Sequence, residues 1–293
     1  MVTNWLKQGS AIQRLIAVNL IVFLAVVLVG IFNNFTNGGA NSLVQILAAN
    51  TELSVLITKP WSIISYMFVH QGLFHLFFNM LVLYFAGNLF TQFLGENRAV
   101  GTYFLGGIAG FLLFMLCYNI FPIFQQNSGA EIIGASAAVM AILVAIAVYT
   151  PNYRVVLMFI GPVKLKYIAI AYIALDILAL QGNNNLGGHL AHLGGALFGY
   201  IMVKQLSRGN DWTQKLGAWI YGLGNLFKRR PTIRIVKKNT TSNRRPKTDA
   251  QYNAEKKAKQ EEINRILDKI SKSGYDSLSK REKEILFQAS NNG

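Results

Sequence analysis

Charged residues are scarce in this sequence. They make up only 14% of its 293 residues, although a soluble domain normally carries about a quarter. They are also unevenly placed, because 12 of the 41 charged residues lie in residues 1–207 and 29 in residues 208–293. This distribution excludes a single soluble globule and predicts an apolar body followed by a hydrophilic tail. The chain has one cysteine, Cys117, which excludes a disulfide-stabilised scaffold.

Long stretches of the body contain no Asp, Glu, Lys or Arg, and between Lys166 and Lys204 the only charge is Asp176. A helix needs about 20 apolar residues to cross a bilayer, so these stretches predict six membrane spans, the last three of them short. No ten-residue alternation of apolar and polar residues recurs, which argues against membrane strands. We therefore expect an all-α polytopic membrane protein. The predicted spans are Leu15–Phe32, Gly72–Phe93, Ala99–Ile120, Ser136–Tyr149, Leu165–Gln181 and Gly188–Val203.

Basic residues in short loops predict the orientation of these spans. The basic residues of the body lie in or beside the loops on one side of the membrane, with the exception of Lys59, which lies on the other side. Both termini are therefore expected in the cytoplasm. The segment Asn33–Met67 predicts short interfacial helices, with Trp61 and Tyr66 as anchors at headgroup depth.

Polar side chains recur in and beside the predicted spans. An ionisable residue in a span is a functional hypothesis by default, and the chain has four histidines there: His70, His75, His189 and His192. His75 and Asn79 are four residues apart and share one face of the second span. Ser136 opens the fourth span. His192 precedes Gly195 and Gly199, a stripe of small residues that lets another helix approach closely.

Each of these features also has an ordinary structural interpretation. A serine in a membrane helix usually bonds to its own backbone, Gly-x-x-x-Gly is usually plain helix packing, and a single histidine can be interfacial. The combination is harder to explain in this way. Three spans supply a hydroxyl at a helix start, an imidazole beside a glycine stripe, and an Asn/His face able to donate hydrogen bonds.

Three blocks of sequence resemble those of rhomboid intramembrane serine proteases. They are His70-Gln-Gly-Leu-Phe-His75-Leu-Phe-Phe-Asn79, then Gly134-Ala135-Ser136, then Ala191-His192-Leu-Gly-Gly195 with Gly199. The resemblance covers roughly residues 61–200 and implies a six-helix rhomboid-like bundle. It also implies a serine–histidine dyad in which Ser136 is the nucleophile and His192 the base, with His75 and Asn79 holding the oxyanion. His70 matches a position that supports the site.

The implied chemistry agrees with the residue types. Peptide hydrolysis needs a hydroxyl activated by a base and donors for the tetrahedral oxyanion. The backbone N–H of a serine at a helix start has no intrahelical acceptor, and Asn79 and His75 can both donate. No carboxylate is evident to orient His192, so the site is interpreted as a dyad. We interpret Asp176 as a snorkelling or helix-bonded carboxylate and expect neither a metal nor another cofactor.

The whole chain divides into three predicted parts. Residues 1–207 would be the membrane domain, residues 208–259 an amphipathic segment and basic linker, and residues 260–293 a small cytosolic helix pair. Residues 228–247 hold nine Lys/Arg and no Asp/Glu, so we expect this stretch to lie against anionic lipid. Nucleic acid is not the expected partner, because aromatic stacking residues are missing.

Three functions compete at this stage. The favoured one is a serine endopeptidase that cuts transmembrane proteins near the outer face of a membrane, here the bacterial inner membrane. The second is a rhomboid-like protein, catalytically weak or inactive, that binds membrane clients. Retention of Ser136 and His192 favours the enzyme, although Ala137 and Met140 depart from the usual family residues. A transporter would be expected to have more intramembrane charges and internal repeats, and a metalloprotease a His-Glu-x-x-His motif.

Overall fold

The computed structural model describes residues 9–36, 42–125, 129–158, 160–182, 185–226 and 248–291. Short 3₁₀ turns at Tyr66–Phe68 and Tyr275–Ser277 accompany its helices. In chain order the α-helices are α1 (Ala11–Thr36), α2 (Ser42–Leu47), α3 (Leu53–Thr58), α4 (Ser62–Ser65), α5 (Leu73–Leu94), α6 (Glu96–Ile120), α7 (Pro122–Gln125), α8 (Ser136–Tyr149), α9 (Leu165–Ala179), α10 (Leu186–Leu206), α11 (Trp212–Leu226), α12 (Asp249–Ser273) and α13 (Lys280–Asn291).

Each of the six predicted spans is a helix, namely α1, α5, α6, α8, α9 and α10. Four of them, α1, α5, α6 and α10, are long and apolar enough to cross a membrane. The other two are shorter, with 14 residues in α8 and 15 in α9. The expected polytopic helical membrane protein is therefore confirmed, with two predicted spans below the length of an ordinary crossing.

Helix α8 lies at the centre of the bundle. Its residues 137–147 are all buried, and α5, α6, α9 and α10 pack around it. A helix that is apolar on every face is typical of such an enclosed position. Enclosure explains how a short helix is held at a fixed depth, with Ser136 at its first residue.

The glycine stripe of α10 brings this helix close to α8. A side-chain carbon at Gly195 would overlap the carbonyl oxygen of Ala137, and one at Gly199 would overlap that of Ala141. Only glycine permits this approach of the two backbones. The close contact carries His192, one turn before Gly195, to the same end of the bundle as Ser136.

Short helices fill the connection between α1 and α5, as expected. Trp61 is exposed, and its indole N–H donates to the carbonyl of Ile46 at 2.9 Å. Tyr66 does not match the prediction of an anchor at headgroup depth, because its ring is buried inside the bundle. Its hydroxyl donates to the carbonyl of Gly107 on α6 at 2.7 Å, which satisfies its polar atom without lipid headgroups.

Two small antiparallel sheets were not predicted. Strands β1 (Ala49–Asn50) and β2 (Glu131–Ile132) pair in the register Ala49↔Ile132 and Asn50↔Glu131. Strands β3 (Arg154–Leu157) and β4 (Gly161–Lys164) form a hairpin between α8 and α9. Strands this short carry no periodic signal in a sequence, so only the structure reveals that β1–β2 ties the segment before α8 to the connection between α2 and α3.

The predicted tail begins with α11, which follows the predicted end of the membrane domain at residue 207. Helix α11 packs along α6, and Arg98 forms a 2.7 Å ion pair with Asp211 just before α11. The first compact unit accordingly runs to Arg230 and the second begins at Pro231. Helix α12 begins at Asp249, inside the predicted linker, and residues 228–247 lie outside the described part of the chain.

The second unit contains the predicted helix pair. Gly274 directly follows α12, and its positive φ of 75° suits a glycine at a helix end. A capping box precedes α13: the N–H of Ser279 donates to Glu282, and the N–H of Glu282 donates to the hydroxyl of Ser279. Ile266 of α12 is buried.

Candidate active site

A cavity of about 490 Å³ opens beside the first turn of α8. Its walls include Ser136 of α8, His192 of α10, and His75 and Asn79 of α5. The structure thus brings all four residues predicted for the site to one cavity, although they are separated by up to 117 positions in the sequence. Met140, one turn after Ser136, lines the same cavity.

The segment before Ser136 is fixed by several hydrogen bonds. The N–H of Gly134 donates to the carbonyl of Tyr66 at 2.9 Å, and the N–H of Ala135 to the ring Nε2 of the fully buried His70 at 3.4 Å. Further back, the side chain of Asn50 donates to the carbonyl of Gly129 at 2.9 Å. These contacts and the β1–β2 pair determine where α8 begins, and so where the serine hydroxyl lies.

Gly134 brings His75 and Ser136 close to the same piece of backbone. Its φ of +121° is a conformation that residues with a side chain rarely adopt. A carbon attached to it would lie 3.0 Å from Nε2 of His75 and 3.7 Å from Oγ of Ser136. The imidazole of His75 and the hydroxyl of Ser136 therefore flank Gly134, and both are directed towards the cavity.

Asn79 is buried at the cavity wall, and its amide Nδ2 donates to the carbonyl of His75 at 2.8 Å. This bond occupies one of the two N–H groups of the amide, so one remains for another acceptor. The ring of His75 packs against that of His70 with the two ring centres 4.9 Å apart. This pairing supports the expectation that His70 holds the neighbouring part of the site.

His192 contacts a carboxylate, contrary to the interpretation of the site as a dyad with no orienting acid. Nδ1 of His192 lies 2.8 Å from Oδ1 of Asp176 on α9. Asp176 is only 6% exposed, so its interpretation as a snorkelling carboxylate is wrong. The signal in the sequence was its position as the only acidic residue between Lys166 and Lys204, and only the fold shows which histidine it meets.

Ser136 and His192 share the cavity without a direct hydrogen bond in the described part of the chain. Such bonds are often long in an enzyme without its substrate. Since Nδ1 of His192 faces Asp176, the remaining ring nitrogen, Nε2, is the one available to a hydroxyl.

His189 lies one turn before His192 and contacts the same carboxylate oxygen. Its Nδ1 is 2.8 Å from Oδ1 of Asp176, and the two imidazole centres are 5.8 Å apart. One ligand atom from each of Asp176, His189 and His192 falls within 4.8 Å of the others, so this trio has the composition of a metal site. The 2.8 Å separations are ordinary hydrogen-bond lengths, which accounts for the cluster without an ion.

Two regions of the chain match known protein families. A model of the rhomboid domain matches residues 58–209, and a family of unknown function matches residues 247–292. The first match covers α4 to α10, and therefore every residue of the cavity described above. The second covers the helix pair α12–α13.

Curated relatives belong to the same group. The chain is 29% identical to the mitochondrial RHOMBOID-like protein 12 of Arabidopsis thaliana over 168 residues, 54% of this chain and 48% of that protein. It is 32% identical to the mouse mitochondrial presenilin-associated rhomboid-like protein over 139 residues, 45% of this chain and 34% of the other.

Another Arabidopsis protein, inactive RHOMBOID-like protein 8, is 36% identical over 97 residues, 33% of this chain and 25% of that protein. The chain thus spans less than half the length of each of these relatives. The family match itself covers more than half of this chain, and on that basis the protein belongs to the rhomboid family.

Proposed function

We propose that this protein is an intramembrane serine endopeptidase that cleaves transmembrane proteins near the outer face of the membrane. Ser136 is the nucleophile, His192 is the general base, and His75 and Asn79 hold the oxyanion. The observation that carries the proposal is the cavity of about 490 Å³ into which α5, α8 and α10 bring these four residues.

In the proposed reaction, Oγ of Ser136 attacks the carbonyl carbon of the scissile bond while its proton passes to Nε2 of His192. The tetrahedral intermediate collapses, the C–N bond breaks, and His192 returns the proton to the leaving nitrogen. Water then hydrolyses the acyl-serine with the same base. These steps require no metal or organic cofactor.

The oxyanion needs donors that are already in place. The N–H of Ser136 lies in the first turn of α8, where no intrahelical carbonyl accepts it and the helix dipole favours negative charge. Asn79 retains a second amide N–H, and the ring of His75 flanks Gly134 close to the serine. One donor of this kind contributes about 3 kcal/mol in a soluble serine protease.

The proposed function also specifies how the protein is oriented in the membrane and what it binds. The cavity end of the bundle faces the outer side of the bacterial inner membrane, and both termini are cytoplasmic, because basic residues cluster in the loops of the opposite end. The basic stretch 228–247 contacts anionic lipid. Transmembrane proteins are the substrates, and nucleic acid is not a partner.

A second candidate is a rhomboid-like protein that binds membrane clients without cutting them. Two observations favour it: a relative is named inactive, and the described contacts of Ser136 include no hydrogen bond to His192. Both candidates use the same cavity and differ in whether the hydroxyl of Ser136 reacts.

The test is labelling of the purified, detergent-solubilised full chain by a fluorophosphonate probe, together with cleavage of a model membrane protein. Ser136→Ala and His192→Ala are each expected to abolish both activities, and EDTA to affect neither. Ser207→Ala is the matched control, because the hydroxyl of Ser207, directly after α10, donates to the carbonyl of Lys204 and the residue does not line the cavity.

The outcomes separate the candidates. Labelling and cleavage that persist in Ser136→Ala would eliminate the proposed nucleophile, and loss of cleavage in EDTA would indicate a metal. A wild-type chain that neither labels nor cleaves, but binds the membrane protein, would favour the client-binding function.

A further inference from the structure

Helix α9 carries a buried carboxylate, Asp176, that has no part in the Ser136–His192 mechanism described above. Between residues 170 and 179 the only buried side chain is that of Asp176, the one residue there that carries a charge. If this position served packing alone, an apolar residue would fit it at no electrostatic cost, since burying a carboxylate is unfavourable unless it is paired. The buried carboxylate therefore calls for a specific partner.

That partner is the proposed base. Nδ1 of His192 and Nδ1 of His189 each lie 2.8 Å from Oδ1 of Asp176. An ionised carboxylate only accepts hydrogen bonds, so both imidazoles must donate from Nδ1. Two N–H donors on one oxygen stabilise the buried negative charge.

We propose that Asp176 is a positioning residue that holds His192 in the tautomer protonated at Nδ1. The proposal rests on the proposed proteolytic function. It adds Asp176 as a third residue to the pair formed by Ser136 and His192. In this tautomer Nε2 carries a lone pair on the side of the ring away from Asp176, where it can take the proton of Ser136.

Asp176 also matters after that transfer. His192 becomes an imidazolium when it takes the serine proton, and the carboxylate 2.8 Å from Nδ1 then neutralises this charge. The proton remains on His192 until it passes to the leaving nitrogen, so Asp176 gains no proton in the cycle. His189 has a different part: it is not among the residues that line the cavity, and its bond to Oδ1 helps to hold the carboxylate.

The kinetic test compares Asp176→Asn and Asp176→Glu with the wild-type full chain in detergent. An Asn amide can turn its NH₂ group towards Nδ1, which would then have to accept and would leave Nε2 protonated and useless as a base. In a soluble triad the same change lowers kcat by about 10⁴-fold. For Asp176→Asn we expect at least a hundredfold loss of kcat and of fluorophosphonate labelling rate, on the order of that effect, with little change in KM.

Asp176→Glu keeps a carboxylate and is expected to restore part of the activity. The matched structural control is Asn19→Ala. Asn19 is another fully buried polar residue, bonded to the hydroxyl of Tyr103 at 3.2 Å, but it does not line the cavity. Its loss should lower the melting temperature and leave the labelling rate of the folded protein unchanged.

The second readout is the tautomer itself, measured by ¹⁵N NMR of histidine-labelled protein. With four histidines in the chain, His192→Gln identifies the signals of His192 by difference. We expect Nδ1–H with a bare Nε2 in the wild type and a change of the His192 signals in Asp176→Asn. Wild-type labelling in Asp176→Asn, or slower labelling with an unchanged His192 tautomer, would overturn the positioning role.

This design separates the two proposals. If the wild-type chain does not label, the proteolytic function fails, and the NMR signals still report whether Asp176 fixes the His192 tautomer. If the wild type labels through Ser136 but Asp176→Asn labels equally fast, the function stands and the role of Asp176 is refuted.

Discussion

At the scale of single residues, the site depends on backbone geometry as much as on reactive side chains. Gly134 has a φ of +121°, and the space that a side chain would need there is taken by the ring of His75. The residue before Ala135 and Ser136 must therefore lack a Cβ for two independent reasons. One is the backbone conformation, and the other is the proximity of a proposed oxyanion donor.

We predict that Gly134→Ala lowers kcat/KM at least about tenfold, because the added methyl group displaces His75 or Ser136. Backbone strain at a positive φ also lowers the free energy of unfolding by about 1–3 kcal/mol. Cleavage assays and thermal unfolding in the same detergent measure the two effects.

Gly209→Ala is the control for strain alone. Gly209 also has a positive φ, of 84°, but among the described residues no atom lies within 4 Å of the position of an added methyl group. This variant should lose stability without losing activity. Full activity in Gly134→Ala would contradict the arrangement of His75 and Ser136 around Gly134.

At the scale of helices, the site depends on how α10 packs against α8. The carbonyls of Ala137 and Ala141 occupy the space where side chains at Gly195 and Gly199 would lie. These contacts involve backbone atoms on both sides, so a neighbouring rotamer change cannot relieve an added side chain. Because Gly195 and Gly199 have no side chains, α10 can lie this close to α8. The same short distance between the helices brings His192 towards Ser136.

Gly199→Val is predicted to destabilise the bundle by at least about 1–3 kcal/mol, the usual cost of overpacking, and to lower activity by moving α10 away from α8. Gly222→Ala is the control, since an added methyl group on α11 meets no atom of the structurally described residues within 4 Å. There the better helix propensity of alanine should raise stability by up to about 1 kcal/mol. Equal melting temperatures for the two variants would argue against the close packing of α8 and α10.

In the second unit, the capping box of α13 gives a pH-dependent element. The backbone N–H of Ser279 and then the ammonium of Lys269 hold the pKa of Glu282 at about 2, below its ordinary value of 4.5. A depressed pKa means that the charged form stabilises the fold. Its contribution is therefore fully present above about pH 4.5 and is lost as the pH falls towards 2.

Hydrogen exchange of residues 280–286 in the full chain, corrected for intrinsic rates, should therefore show protection that decreases from about pH 5 to about pH 3. Glu282→Gln should have weaker protection at neutral pH and lose this pH dependence. Glu284→Gln, a change at an exposed residue of the same helix, is the control. The same pH dependence in Glu282→Gln would show that another group is responsible.

At the scale of the whole molecule, the sequence was sufficient for features that depend on composition. Gaps between charges located six helices. Features that depend on contacts between distant residues were missed. The pairing of Ala49–Asn50 with Glu131–Ile132 leaves no pattern in either segment, and the amphipathic residues of α11 did not reveal that α6 is its partner.

The site shows the same division. Ser136, His192, His75 and Asn79 were identified because they match motifs, and all four line the cavity. Asp176 matches none of these motifs, so it was given the interpretation that suits an isolated carboxylate near a membrane surface. Its contact with His192 depends on how α9 packs against α10, which no local pattern encodes.

The orientation of the bundle in the membrane is a separate prediction. With Cys117 replaced by alanine, a single cysteine can be introduced at Ile123, which follows α6, or at Ser207, which follows α10. We expect a membrane-impermeant maleimide to label Ile123→Cys in intact cells and Ser207→Cys only after lysis, because the basic loops remain in the cytoplasm. The reverse pattern would place the cavity on the cytoplasmic side.

The central claim is that the hydroxyl of Ser136 is a nucleophile activated by His192. Its most direct test is mass spectrometry of the full chain after reaction with the fluorophosphonate, followed by identification of the modified residue. We expect one adduct per chain, located on Ser136 and absent from His192→Ala. An adduct on another residue, or one that forms on Ser136 equally fast without the imidazole of His192, would contradict it.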